Sequence, residues 1–241
     1  LITSFKSARE ISSNAGLWIN APTLSNYLSV LTDTTRFNIW LYLFNSTMAA
    51  LIGTLLAMAL TFPAAYAIAR SETGRRVLFP MVVNLRAVPL IIFAIPLYMM
   101  YQWLGLLDTR VGLGLILTIV NIPLALVIFV NAIADVPVEL DEAAKVDGAS
   151  TLATLRRVIW PVVRPAMLTS FIFGFITAWN EFLFGLMLTT SKAVPMTVGA
   201  SFFFAASGGG VNWGTASAVM IIGALPPAVI GLMMYKQIFG S

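Results

Sequence analysis

The sequence predicts an all-α, polytopic bundle of membrane-spanning helices, and three observations carry that reading. Of the 241 residues, 59% are hydrophobic. Only 10% are charged, where a soluble domain carries roughly a quarter. The charges also cluster, leaving apolar stretches long enough to cross a bilayer.

Five such stretches follow one another. Arg36 and Arg70 bound an uncharged segment, of which about Leu41 to Ala67 is expected to span. The second runs from about Val77 to Leu106, interrupted only by Arg86, and the third from about Val111 to Ile133. The fourth runs from about Met167 to Thr189, interrupted only by Glu181. Beyond Lys192 the chain is uncharged until Lys236, too long for one helix. Gly208-Gly209-Gly210 therefore reads as a loop before a fifth span, about Gly214 to Tyr235. Each stretch meets the requirement of about 20 apolar residues for roughly 30 Å of hydrocarbon. Only a helix satisfies its own backbone over such a run.

Positive charge sets the direction. Arg70, Arg75 and Arg76 occupy the first connection, and Lys145, Arg156, Arg157 and Arg164 the third. The second and fourth hold only Arg110 and Lys192. The first and third connections and the C-terminus are therefore expected in the cytoplasm, with Leu1 outside. An external start at Leu1-Ile2-Thr3-Ser4, with no initiator methionine or signal peptide, implies an earlier span and six in the full protein. Residues 1–40 then form an external segment, and 41–241 the transmembrane domain.

Missing residue types remove whole chemistries. With no Cys and no His there is no disulfide, no ordinary zinc site and no Ser-His-Asp or Cys-His nucleophile. No Gly-x-x-x-x-Gly-Lys-Ser/Thr loop is present, so ATP is not bound in a P-loop here. The net charge of +4 comes from cations scattered through short loops, with no basic stripe for nucleic acid.

The third connection, about 135–164, is long and polar but built like structure. Pro137 suits a first helical turn, and Glu139, Asp141 and Glu142 suit its positive end. Asp141 and Lys145 are spaced as an i, i+4 pair. Gly148 falls where a left-handed cap belongs, and Ser150 can cap a second short helix that Pro161 ends. On these features alone, an amphipathic connector on the headgroups and a docking element are equally good readings.

Glu142-Ala143-Ala144, three residues, Gly148, then nine residues before Val158-Ile159-Trp160-Pro161, resembles the EAA loop of ABC-importer permeases. The family pattern ends isoleucine, any residue, leucine, proline, so Val158 and Trp160 are departures. Pro96-Leu97-Tyr98, Leu104-Gly105-Leu106-Leu107-Asp108-Thr109, Ile133-Ala134-Asp135-Val136-Pro137 and Ala178-Trp179-Asn180-Glu181-Phe182 resemble the carbohydrate branch, that of maltose-type permeases without a large external domain. The resemblance implies the type I ABC importer permease fold in a bacterial inner membrane. It assigns ATPase coupling to Glu139, Glu142, Ala143, Ala144, Asp147, Gly148 and Pro161. It also implies two ATP-binding cassette subunits holding ATP and Mg, a second and different permease subunit, and an extracytoplasmic solute-binding protein. No cofactor is expected on this chain, which is not an enzyme.

Charges inside spans are costly and read as functional by default. Arg86 lies about ten residues past Arg76, roughly 15 Å in, and Glu181 about seventeen past Arg164, roughly 26 Å. Straight helices would place them about 10 Å apart in depth, so both are expected to face a polar cavity or a partner, with an Arg86–Glu181 pair as the lesser option. The competing reading is that each only satisfies backbone groups or snorkels. Asn121, Trp179 and Asn180 complete the candidate translocation path, since aromatic faces stack on sugars and amides bond hydroxyls. Trp179 reads instead as an interfacial anchor if it lies at the headgroup level. Pro63, Pro89, Pro96, Pro123, Pro226 and Pro227 interrupt the spans, as openings to a cavity or as kinks.

The function expected is passage of a sugar, oligosaccharide or polyol through an ATP-driven importer. Glycerol phosphate, peptide or amino acid cargo is an alternative, although anionic cargo would call for more pore cations than Arg86. An ion-gradient transporter is a rival from another class, and offers essentially Glu181 as its titratable group.

Overall fold

In the computed structural model of the chain, residues 1–13, 16–34, 37–71, 74–204 and 211–239 are described, 234–239 by backbone alone. The expected Gly208-Gly209-Gly210 loop and Arg36 lie outside them. Among the described residues every regular element is helical. The external segment holds a 3₁₀ turn (Ile2–Phe5), α1 (Ala8–Ser13) and α2 (Ser25–Thr32). The first span is α3 (Ile39–Ala69), capped by the Asn38 side chain, which accepts from the Leu41 N–H at 3.1 Å.

The next segment is not one helix. A π turn (Gly74–Leu78), α4 (Phe79–Asn84) and a 3₁₀ turn (Leu85–Ala87) run to Val88, and a second 3₁₀ turn (Leu90–Phe93) leads into α5 (Ala94–Trp103). The two halves meet at 89°, which corrects the expectation of a continuous span. Pro89 explains the break: it cannot donate an N–H, and it drives Val88 into extended backbone (φ −77°, ψ 124°). α6 (Arg110–Ala134) is a full-length span capped by Thr109, whose hydroxyl accepts from Gly112 N–H at 3.0 Å.

The third connection carries α7 (Val138–Val146), α8 (Thr151–Thr154), a π turn (Leu155–Ile159) and α9 (Trp160–Val162). An 80° bend at Val163 then opens α10 (Arg164–Asn180). Pro161 thus sits inside a helical run and does not end it; the preceding turn widens to π, absorbing the missing N–H. α10 stops at Glu181, whose backbone is extended (φ −66°, ψ 125°), and α11 (Leu183–Leu188), α12 (Met196–Ser201) and α13 (Trp213–Phe239) complete the chain. Pro63, Pro123, Pro226 and Pro227 lie inside unbroken helices, so four of the six prolines do not interrupt their spans. Without water to compete for the freed carbonyls, helix remains the best available backbone state there.

α3, α6 and α10 form the centre of the bundle, while the external segment packs on α13. The α3–α6 seam is closed by small residues: a Cβ on Gly53 would lie 2.6 Å from Leu117 Cβ, and one on Gly114 2.5 Å from Ile52 Cγ2. This close approach supplies the dispersion contact that holds helices together in lipid. A second core binds the cytoplasmic loop to the spans, with Leu155, Ile159 and Val163 packed among Phe62, Phe129 and Ile133. Trp160, one of the two motif departures, sets its ring edge against Phe62 at 5.5 Å.

Candidate functional site

The cytoplasmic helix–turn–helix is shaped by its caps. Gly148 has φ +77°; its N–H donates to Lys145 O at 3.0 Å and the Ala149 N–H to Ala144 O at 2.9 Å, a Schellman ending for α7. A Cβ on Gly148 would meet nothing within 4 Å, so glycine is required by the left-handed backbone and not by crowding. The Ser150 hydroxyl accepts from Ala153 N–H at 3.4 Å and starts α8.

α7 divides its residues between two faces. Asp141 and Ala144 are buried, whereas Glu139, Glu142, Ala143 and Val146 lie exposed at i, i+3, i+4 and i+7. Asp147, Gly148 and Pro161 are exposed beyond it. Of the coupling residues expected from the sequence, only Ala144 therefore points into this subunit. The expected Asp141–Lys145 pair does not form: Arg70 Nε donates to Asp141 Oδ2 at 2.6 Å and Arg70 Nη2 to Val136 O at 3.0 Å. The carboxylate is buried and the guanidinium half-buried, with side-chain exposures of 3% and 15%, and no local pattern in the sequence pointed to the pair. It joins the end of α3 to the first turns of α7.

A second polar cluster lies at the other membrane face. Asp108, at φ 54°, accepts from the backbone N–H groups of Thr190, Ser191, Lys192 and Ala193 at 2.9–3.2 Å, and from the Ser191 hydroxyl at 2.9 Å. Asn45, fully buried in α3, donates to Lys192 O and Val194 O and accepts from Arg110 Nε at 2.6 Å. The Ser46 hydroxyl accepts the Met196 N–H at 2.7 Å. Partial burial pushes the Asp108 carboxyl up, but the four N–H groups outweigh it and hold it far below the usual carboxylate range. A depressed folded-state pKa stabilises above the unfolded value and is lost as pH falls through the folded one. Thermal stability is therefore expected to be insensitive to this group from pH 7 to about 4 and to decline below. Asp108→Asn should lower it at neutral pH by about 1–2 kcal/mol, read from melting curves across pH.

The residues expected along a path differ in burial and in partners. Trp179 is 3% exposed, stacks on Phe175 at 5.7 Å and donates its indole N–H to Gly223 O at 3.1 Å. Asn121 is equally buried and donates to Gly174 O at 3.1 Å. Glu181 sits in the break between α10 and α11, its carboxylate accepting from Phe184 and Gly185 N–H groups at 3.0–3.3 Å. Arg86 is exposed in the turn before Pro89, and Asn180 is exposed at the end of α10. No Arg86–Glu181 pair occurs among the described residues: both helices are broken, and the straight-helix geometry that gave that option does not hold.

Comparison with known proteins agrees with this architecture. The family described as "Binding-protein-dependent transport system inner membrane component" matches residues 58–239. The trehalose/maltose transport system permease protein MalG of Thermococcus litoralis is 35% identical over 218 residues, covering 90% of this chain and 78% of that protein. The sulfoquinovosyl glycerol transport system permease protein SmoH of Agrobacterium fabrum is 30% identical over 244 residues, 99% and 83% of the two chains. The multiple sugar-binding transport system permease protein MsmG of Streptococcus mutans is 30% identical over 246 residues, 100% and 87%. A solved bacterial ABC transporter involved in import of the acidic polysaccharide alginate shares the fold, with a TM-score of 0.79 at 22% identity over 98% of this chain and 87% of that one. With a family match over most of its length, the chain belongs to the inner-membrane components of binding-protein-dependent transport systems, the multi-pass permease subunits of ABC importers.

Proposed function

We propose that this permease passes a sugar, oligosaccharide or polyol, received from an extracytoplasmic solute-binding protein and driven by ATP hydrolysis on two separate ATP-binding subunits. The observation that carries the coupling is the exposed face of α7. Glu139, Glu142, Ala143 and Val146 stand out from a helix fixed on its other side by Arg70–Asp141. A helix anchored on one face and bare on the other can transmit force from a partner seated on it. The cargo class is supported by the sugar transport named for MalG and MsmG, and by the absence of a cation cluster in the spans. ATP and Mg belong on the partner subunits.

A second permease subunit, a different chain, completes the path. Arg86 and Asn180, exposed on this subunit, face it or the cargo, while Asn121, Trp179 and Glu181 position the helices around it. Glu181 is engaged as a helix cap, which favours the ATP-driven reading over an ion-driven one.

Co-purification in detergent with the ATP-binding subunits tests coupling. Gly148→Val forces a β-branched residue into φ +77° and is expected to cost about 1–2 kcal/mol at that turn. The complex should be recovered several-fold less well than wild type. Retention unchanged in the variant, or no retention by wild type, overturns the docking assignment. Sugar-stimulated ATP hydrolysis by the reconstituted complex tests the cargo separately.

A further inference from the structure

We propose that the cytoplasmic end of this permease holds the phosphate headgroup of an anionic phospholipid in a basic cavity beside the coupling helix. The cavity, about 460 Å³, is lined among others by Tyr66, Arg70, Arg75, Arg76, Asp141 and Lys145. Four cations thus face one carboxylate, and that carboxylate is already paired with Arg70. Counting Glu72 of the same connection, the balance is still four cations against two carboxylates. The side chains of Arg75 and Lys145 make no hydrogen bond or ion pair with the described residues. Two cations without a partner among the described residues attract an anion, and a guanidinium matches a phosphate by geometry as well as by charge.

Its position selects the source of that phosphate. Tyr66, Ala69 and Arg70 belong to the last turn and cap of α3, so the cavity opens where a span leaves the hydrocarbon on the cation-rich side. Directly after Arg75 and Arg76 come Val77 and Leu78, 57% and 50% exposed. A basic hollow at this depth, followed in the chain by exposed apolar residues, suits a molecule that carries acyl chains beneath its phosphate. Val138, Asp141 and Lys145 place α7 on one wall, so the bound headgroup braces the coupling helix against the end of α3.

The inference does not depend on the cargo, and its test is read without cargo or ATP. The whole transporter is reconstituted in nanodiscs of phosphatidylcholine with and without phosphatidylglycerol, and phosphatidylglycerol retained per complex is counted by native mass spectrometry. Wild type should retain it, and Arg75→Gln/Arg76→Gln should weaken retention on the order of tenfold, as two juxtamembrane cations predict. Arg75→Lys/Arg76→Lys should restore most of it. Equal retention by the glutamine variant overturns the proposal. So does displacement of the lipid by inorganic phosphate, which would mark a soluble-anion site. Loss of the ATP-binding subunits from the glutamine variant in pure phosphatidylcholine would assign the two arginines to that partner instead and would equally overturn it.

Discussion

Replacing Arg70 with methionine is expected to destabilise the permease by about 3–5 kcal/mol, because it strands a buried carboxylate in a site built around a guanidinium. Asp141 is 2% exposed and lies 71 residues away in sequence, so no neighbour on its own helix can substitute. Lys145, one turn further along α7, is exposed and forms no pair with it. Thermal unfolding in detergent should show the loss. The double variant Arg70→Met/Asp141→Leu should recover most of the stability, since removing both charges also removes the desolvation cost. Function should separate from stability in that double variant. With the tie between α3 and α7 replaced by apolar contact, ATP hydrolysis should continue while cargo uptake per ATP falls several-fold. A single variant as stable as wild type would show the pair to be solvated and the tie unimportant.

The second large effect lies in the lipid-embedded seam. Gly53→Val should prevent α3 and α6 from reaching their native separation, with a cost of about 3 kcal/mol or more from overpacking and lost helix contact. The obstacle is the Leu117 Cβ at 2.6 Å and its carbonyl carbon at 3.1 Å, neither of which can swing aside. Leu117→Ala, which keeps the Cβ, should therefore fail to rescue the variant. Yield of monodisperse protein and its melting temperature measure this. A normal melting temperature would mean that the two helices slide freely, contrary to the packing.

What could be read from the sequence was what depends on local chemistry. Apolar runs bounded by charges mark the spans, and Pro137, Gly148 and Ser150 mark the caps of the cytoplasmic loop. The helix breaks were less legible. Pro63, Pro89 and Pro123 look alike in sequence, yet only Pro89 coincides with a right-angled turn. The difference lies in packing: α3 and α6 are held straight against each other, while the segment around Pro89 lies on the subunit surface with Ile91 and Ile92 about 60% exposed. Contacts between distant residues were not legible at all. Asp141 has a cation at i+4 that satisfies the helical rule, and the rule chose the wrong partner because Arg70 is brought closer by tertiary structure. Glu181 carried the right signal of an expensive intramembrane charge, but the charge stabilises a helix start, a use that costs less than lining a pore.

α3 carries a polar fastening at each end, Asn45 and Ser46 near one and Arg70 at the other. Some 25 residues separate Asn45 from Arg70, about 38 Å of helix, without a break at Pro63. Such a rod transmits torque: neither fastening can rotate while the other stays still. An agent that never enters the cell, such as an antibody fragment that clamps the loop around Lys192, would then stall nucleotide turnover on the opposite side of the membrane.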